Sequence, residues 1–243
     1  MNGEMTLKVI ARMKSPYPGK FGIPRQSGRV PEAVSRIVFE PEYRNPDALR
    51  GLEGFSHLWI IWQFSEAESN GWSPTVRPPR LGGNRRMGVF ATRSPYRPNP
   101  IGLSAVRLER VELDPEKGPI LHVRGVDMLD GTPIYDIKPY LPYADAHPDA
   151  KGGFGEEQRE RHLRVEIPEE LLARIPEEER QNVLALLSED PRTAYIHDEE
   201  REWGIAYAGF NYLFYVRGEV LTVMDVLTIE EYQRRTEKKE EQR

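Results

Sequence analysis

The sequence of 243 residues contains no cysteine, which excludes several kinds of chemistry. A disulfide framework, a thiol nucleophile and an iron–sulfur or thiolate metal site all require cysteine. The five histidines are scattered without the spacing of metal ligands, so no metal site is predicted. Walker-type phosphate loops, GxGxxG loops and GxSxG nucleophile motifs are also missing.

Long apolar runs are missing as well. A membrane span needs roughly 18 apolar residues, and the longest run here covers only residues 58–62. The first 14 residues have neither the apolar core nor the cleavage signal of a secretory leader. A soluble, cytoplasmic protein is therefore expected.

Acidic residues are missing from one long stretch. Residues 71–108 contain no Asp or Glu but seven arginines, although the whole chain has a net charge of −5. Such a stretch favours contact with an anionic partner, and the preference for Arg over Lys strengthens that interpretation. The alternative is that these arginines only solvate surface edges and pair with carboxylates.

The chain divides near residue 150. Before it, strand-like runs at 7–13, 36–40, 55–64, 87–92, 103–113 and 120–127 alternate with Pro- and Gly-rich connections, and no long helical period occurs. The pattern favours a mainly β fold with an antiparallel β-barrel. A break in the alternation between Leu108 and Val111 indicates a β-bulge.

Residues 145–155 are typical of a linker and separate a barrel domain at 1–148 from a small C-terminal α+β domain at 156–243. In the second domain we predict a strand at 163–167 and a helical segment at 168–187 that Pro176 divides. Residues 204–215 and 219–229 predict a hairpin that turns at Arg217 and Gly218. The charged tail that follows is expected to be either a frayed helix or disordered.

Four polar motifs lie in the first domain, at residues 21–26, 51–59, 88–104 and 127–143. Three prolines stiffen the third motif, which indicates a loop that presents side chains. In the fourth, Asp136, Lys138 and Tyr140 recur at spacing two and share a face if the segment is extended. They form either an ordinary ion pair or a set of acid–base groups.

The strings PRQ, GLEGFSHLWI, RPPRLGGN, MGVFATRSPYRPNPIGLS and DGTPIYDIKPYLPYAD resemble the TsaA-like (UPF0066) family of bacterial tRNA methyltransferases. The resemblance covers most of residues 5–145. It implies a single-sheet antiparallel β-barrel, a homodimer with the cofactor near the subunit interface, and S-adenosylmethionine as the cofactor. It also implies that the protein methylates N6 of threonylcarbamoyladenosine beside the anticodon of threonine tRNA.

The resemblance also implies a set of cofactor contacts, since the matching positions of this chain are Pro24, Arg25, Gln26, Ser65, Glu66, Arg93, Leu103, Gly131, Thr132, Pro133 and Ile134. Family members can carry His-Gln where this chain has Ser65-Glu66. If that pair contacts the cofactor through side chains, Glu66 faces its cationic end, whereas backbone contacts would make the change neutral.

Methyl transfer from a sulfonium needs alignment of the reacting atoms and no metal. We predict Asp136 as the general base, with Lys138 and Tyr140 as orienting or charge-stabilising partners. Phosphates of the tRNA are expected to contact Arg77, Arg80, Arg85, Arg86 and Arg97. The alternative from another class is a non-catalytic RNA- or small-ligand-binding β-barrel, which the basic stretch fits equally well.

Overall fold

The computed structural model describes residues 5–67, 72–78, 85–158, 162–192 and 198–241. The first part of the chain forms a closed antiparallel barrel with the strand order β1-β2-β7-β6-β3-β8. Its strands are β1 (Ala11–Lys14), β2 (Val34–Phe39), β3 (His57–Gln63), β6 (Ile101–Asp114), β7 (Gly118–Arg124) and β8 (Pro133–Pro139). The predicted mainly β class and the single-sheet barrel are confirmed.

Side chains alternate across the barrel wall as the sequence pattern predicts. Along β3, Leu58, Ile60 and Trp62 are buried inside the barrel, and the residues between them point outward. The register between β6 and β7 shifts between Leu108 and Arg110, which confirms the predicted bulge. Before residue 142 the described residues form no α-helix.

One predicted strand is shorter than expected. Of residues 87–92, only β5 (Met87–Gly88) is a strand, and it pairs with β4 (Thr75–Val76) in a separate two-stranded ribbon. A 3₁₀ turn follows at Val89–Ala91, and it is closed by a 2.9 Å hydrogen bond from the Thr92 hydroxyl to the Val89 carbonyl oxygen. The side-chain hydrogen bond gives this segment an alternative to the strand ladder.

The C-terminal part forms a four-stranded sheet in the order β10-β11-β12-β9, with β9 parallel to β12. Pro176 separates two short helices, as predicted. The elements from the end of the barrel onward are α1 (Pro142–Asp145), β9 (Arg164–Glu166), α2 (Glu169–Leu172), α3 (Arg180–Ser188), β10 (Trp203–Tyr207), β11 (Phe210–Arg217), β12 (Val220–Thr228) and α4 (Ile229–Glu241).

The predicted hairpin strand at 204–215 is in fact two strands, because the chain reverses between β10 and β11. Ala208 and Gly209 have φ values of 48° and 85° and make that turn. Positive φ at both central residues is the geometry of a tight hairpin, and Ala in this conformation gives little signal in the sequence. The second turn, at Gly218, is where we predicted it.

The two parts of the chain share one buried cluster of apolar side chains. Tyr17 from the barrel part packs against Tyr207 with ring centroids 5.4 Å apart, and both are fully buried. The Ala208 amide also donates a hydrogen bond to the Pro16 carbonyl oxygen over 3.0 Å. Within the described ranges, no helix is both long and apolar enough to cross a membrane.

Candidate active site

A cavity of about 840 Å³ lies at the end of the barrel where β3 ends and β6 begins. Cavities of this size are typical of small-molecule sites. Its wall contains eight of the eleven predicted cofactor contacts, although they come from distant parts of the sequence. These are Pro24, Arg25, Gln26, Ser65, Glu66, Arg93, Leu103 and Thr132.

A hydrogen bond joins two of the predicted cofactor loops. Arg93 donates from Nη1 to the Gln26 Oε1 atom, across 67 residues of sequence. Arg97, which we predicted as a phosphate contact, also lines the cavity, and it donates to the Thr92 carbonyl oxygen over 3.1 Å. This loop thus places two guanidinium groups, those of Arg93 and Arg97, at the cavity wall.

The C-terminal part supports the loop that carries Arg25. Its guanidinium donates to the carbonyl oxygens of Asp190 at 3.0 Å and Arg192 at 3.4 Å. Burial alone would raise the pKa of Asp190, but the hydrogen bonds and charge of Arg192 outweigh it, so the pKa is lowered. At Gly22, with φ of +88°, a Cβ would lie 3.0 Å from Ile205. The loop is therefore fitted closely against the C-terminal sheet.

Glu66 already has a cationic partner at the cavity wall. Its carboxylate lies 3.3 Å from the Lys20 ammonium, which also donates to the Glu66 carbonyl oxygen over 3.1 Å. Both residues line the cavity. Lys20 therefore offsets part of the negative charge that Glu66 brings to the cavity wall.

A buried chain of hydrogen bonds that no sequence motif indicated also reaches the cavity. Trp62 donates from its indole nitrogen to the Ser104 hydroxyl over 3.0 Å, and Ser104 donates to Asp127 over 2.5 Å. Burial raises the pKa of Asp127, and hydrogen bonds from Ser104 and the Ser27 amide oppose that rise. Trp62 and Asp127 both line the cavity. A Cβ at Gly102 would lie 2.2 Å from the Trp62 ring, so this position requires glycine.

The turn at residues 129–132 places only one of its predicted contacts in the cavity wall. Thr132 is buried there and donates to the Leu129 carbonyl oxygen over 2.7 Å. Gly131 has a φ of +79°, which glycine adopts without strain. Pro133 pairs with β1, and Ile134 is buried inside the barrel. These last three residues support the wall without lining it.

The structure brings the predicted catalytic residues together but not to the cavity wall. As their spacing predicts, Asp136 and Lys138 lie on the outer face of β8, and Tyr140 follows directly after the strand on the same side. Asp136 and Lys138 form an ion pair at 2.8 Å. The hydrogen bond and charge of Asp136 raise the pKa of Lys138. The Tyr140 ring lies 5.4 Å from the Trp59 ring.

Three of the four remaining predicted phosphate contacts lie beside the β4–β5 ribbon. Arg77, Arg85 and Arg86 are exposed there, and Arg80 lies outside the described residues. No group of three or more His, Cys, Asp or Glu side chains in the described ranges is placed to hold a metal ion.

Comparison with known proteins identifies the family. Residues 12–146 match the family described as the tRNA-methyltransferase O N-terminal domain. The Escherichia coli K12 protein "tRNA (adenine(37)-N6)-methyltransferase" is 43% identical over 217 residues, which cover 87% of this chain and 91% of that protein. A mouse protein of the same name is 40% identical over 146 residues, 59% of this chain and 32% of its own length.

Solved structures agree with these matches over nearly the whole chain. A crystal structure of TrmO from Pseudomonas aeruginosa has a TM-score of 0.72 and 32% identity, and the match covers 92% of this chain and 98% of that one. The fold and the family match together confirm the resemblance found in the sequence. This chain belongs to the tRNA-methyltransferase O family.

Proposed function

We propose that this protein transfers a methyl group from S-adenosylmethionine to N6 of threonylcarbamoyladenosine, beside the anticodon of threonine tRNA. The observation that carries the proposal is the meeting of eight predicted cofactor contacts in the wall of one cavity. The names of the relatives, which specify N6 methylation of adenosine 37 in tRNA, support the same reaction.

The residues of the cavity fit this cofactor. S-adenosylmethionine carries a carboxylate, an ammonium, a sulfonium and a flat adenine. Arg25 and Arg93 are suited to the carboxylate, and Glu66 and Asp127 are suited to the positive groups. Leu103 contributes apolar surface, as do Ile23 and Phe64, and such surface favours a flat base.

When bound, S-adenosylmethionine supplies the methyl group, which leaves the sulfonium by in-line displacement. The protein contributes alignment and shields the site from water. The tie between Arg93 and Gln26 holds two walls of the cavity at a fixed spacing. The hydrogen bonds from Trp62 to Ser104 and from Ser104 to Asp127 hold a third wall of the cavity in place.

Asp136 remains our proposed general base, with Lys138 and Tyr140 as its partners. The acceptor nitrogen is joined to a carbamoyl group and is a poor nucleophile, so removal of its proton aids attack. The role requires the acceptor to reach the outer face of β8. The competing interpretation is that Asp136 only pairs with Lys138, and the 2.8 Å distance between them suits that interpretation equally.

The proposal includes a homodimer. The outer faces of β3 and β6 carry Trp59, Ile61, Ile101 and Leu103, with Ile61 directly opposite Leu103. Leu103 is 55% exposed, and exposed apolar patches of this kind mark interaction surfaces. Leu103 also borders the cavity, which suits a cofactor site near a subunit interface. Ile61→Lys should convert the sedimenting species from dimer to monomer, and a monomeric wild-type protein would contradict this part of the proposal.

A cytoplasmic location also belongs to the proposal, because mature tRNA is the proposed substrate. The proposed reaction is tested by incubating the protein with labelled S-adenosylmethionine and with tRNA that either carries or lacks the threonylcarbamoyl group. Label should enter only the modified tRNA. Equal labelling of both would contradict the substrate assignment. Binding of tRNA with no affinity for S-adenosylmethionine would favour the non-catalytic barrel.

A further inference from the structure

The β4–β5 ribbon holds residues 74–76 against residues 87–89, and Phe90 directly after it lines the cavity. Thr75 pairs with Gly88, and the Val89 amide donates to the Pro74 carbonyl oxygen over 3.0 Å. Val89 is buried and anchors the end of the ribbon. The residues just outside these pairs are thereby kept in fixed relative positions.

Two aromatic residues occupy those positions and remain exposed. Trp72 precedes β4, and Phe90 follows β5. Their ring centroids are 6.5 Å apart with an interplanar angle of 30°. Trp72 is 55% exposed and Phe90 is 74% exposed. Large aromatic side chains dominate protein cores, so an exposed and roughly parallel pair points to a flat apolar ligand.

The surroundings of the pair indicate that this ligand is anionic. Arg85 and Arg86 are exposed on the approach to β5, and residues 71–108 contain no Asp or Glu. Phe90 itself lines the cavity, as does the exposed Tyr96. Exposed aromatic rings therefore stand in the cavity wall together with the guanidinium groups of Arg93 and Arg97.

We propose that Trp72 and Phe90 form a stacking platform for one unpaired RNA base that neighbours the adenosine entering the cavity. This inference rests on the proposed function and specifies how the substrate is held. Proteins that bind unpaired nucleotides combine aromatic rings, on which bases stack, with cationic groups for the phosphates. Phosphate contacts alone would require the arginines but not the rings.

The test is equilibrium binding of an anticodon stem-loop RNA to Trp72→Ala and Phe90→Ala. Each variant should lose affinity by about 5- to 150-fold, the range for one base–aromatic contact, and Trp72→Phe should restore most of it. Tyr232→Ala, an exposed aromatic on α4, is the matched control and should bind like the wild type. Equal melting temperatures should exclude loss of folding.

A series of stem-loop RNAs, each lacking the base at one loop position, identifies the base that stacks on Trp72 and Phe90. At one loop position, loss of the base should weaken wild-type binding but cause no further loss in Phe90→Ala, because both changes remove the same contact. If the loss of affinity caused by each missing base adds in full to the loss caused by Phe90→Ala, the inference is overturned. It is also overturned if sedimentation shows that Trp72→Ala and Phe90→Ala dissociate a dimer and this dissociation accounts for the whole loss of RNA affinity. In that case a second copy of the protein would cover the two rings.

Methyl transfer by the wild-type protein separates this inference from the proposed function. If the wild-type protein methylates tRNA but the effects of Phe90→Ala and of each missing base are additive, the stacking platform is overturned and the proposed reaction stands. Coupling without transfer supports the platform and contradicts the proposed reaction.

Discussion

Arg25 donates a hydrogen bond from its guanidinium to the backbone carbonyl oxygen of Asp190 over 3.0 Å. The two residues are 165 positions apart. Their contact joins the predicted cofactor loop to the C-terminal part, which lies outside the matched family domain at residues 12–146. The C-terminal part therefore supports the cavity directly.

Arg25→Ala and Arg93→Ala should each weaken binding of S-adenosylmethionine by roughly 1.5–3 kcal/mol, the cost of losing a hydrogen bond to a charged group. Arg25→Ala also releases the loop from Asp190. Isothermal calorimetry measures both effects. Arg50→Ala is the matched control, because Arg50 is exposed and, among the residues that the structure describes, forms its ion pair with the nearby Asp47. Unchanged affinity in both cavity variants would remove these arginines from the site.

Asp127→Asn should weaken cofactor binding without lowering the melting temperature at pH 7. Burial raises the pKa of Asp127 above its ordinary 3.8 in the folded protein. Its contribution to the free energy of unfolding is therefore full below about pH 3.8 and is lost as the pH rises through the folded-state pKa. A neutral residue should thus be tolerated at pH 7. A lower melting temperature with normal cofactor affinity would assign Asp127 a purely structural role.

Asp136→Asn should lower the single-turnover rate by about 10²–10⁴-fold if Asp136 is the general base. Little stability should be lost, because the ion pair with Lys138 is exposed and solvent screens the attraction between its charges. Lys138→Ala breaks the same ion pair but keeps the carboxylate, so it should lower the rate less than Asp136→Asn does. A fully active Asp136→Asn protein would end the general-base proposal.

Replacing Arg85 and Arg86 together by Ala should raise the apparent KM for tRNA and flatten its dependence on salt, because fewer counterions are released on binding. The maximal rate should change little, since the lost contacts are made equally in the ground state and the transition state. Arg234→Ala, on the exposed face of α4, is the control. An unaltered salt slope would place the phosphate contacts elsewhere.

Alkaline pH should unfold the protein through its buried tyrosines. Burial raises the pKa of Tyr17, Tyr207 and Tyr212 above the ordinary 10.0, and the Glu179 charge adds to the rise in all three. A raised folded-state pKa means that stability is full below pH 10 and falls above it, by about 1.4 kcal/mol per pH unit for each tyrosine. Absorbance at 295 nm should show part of the tyrosines ionising only as tertiary structure is lost.

The hydrogen bond to Glu179 distinguishes Tyr207 from Tyr17 among the three buried tyrosines. Tyr207 donates its hydroxyl to Glu179 over 2.7 Å, whereas the Tyr17 hydroxyl is buried without a partner among the described residues. Tyr207→Phe should therefore destabilise the protein more than Tyr17→Phe. Equal losses would contradict this account of the cluster.

Local patterns were enough to predict much of the fold. The break in alternation after Leu108 predicted the bulge, Pro176 predicted the division of the helical segment, and Gly218 predicted the hairpin turn. These features depend on the backbone freedom of one residue or on the period of a few neighbours. The turn at Ala208 and Gly209 was missed because Ala rarely adopts a positive φ.

The sequence by itself determined the barrel class and, through the family strings, the residues expected at the cofactor. Only the tertiary structure decided which of them meet, because closure of the barrel and docking of the C-terminal sheet join distant positions. Gln26 meets Arg93, and Ser104 meets Asp127, through pairings that no local pattern encodes. The spacing of Asp136 and Lys138 likewise predicted a shared face, but strand pairing alone decided that this face lies outside the cavity wall.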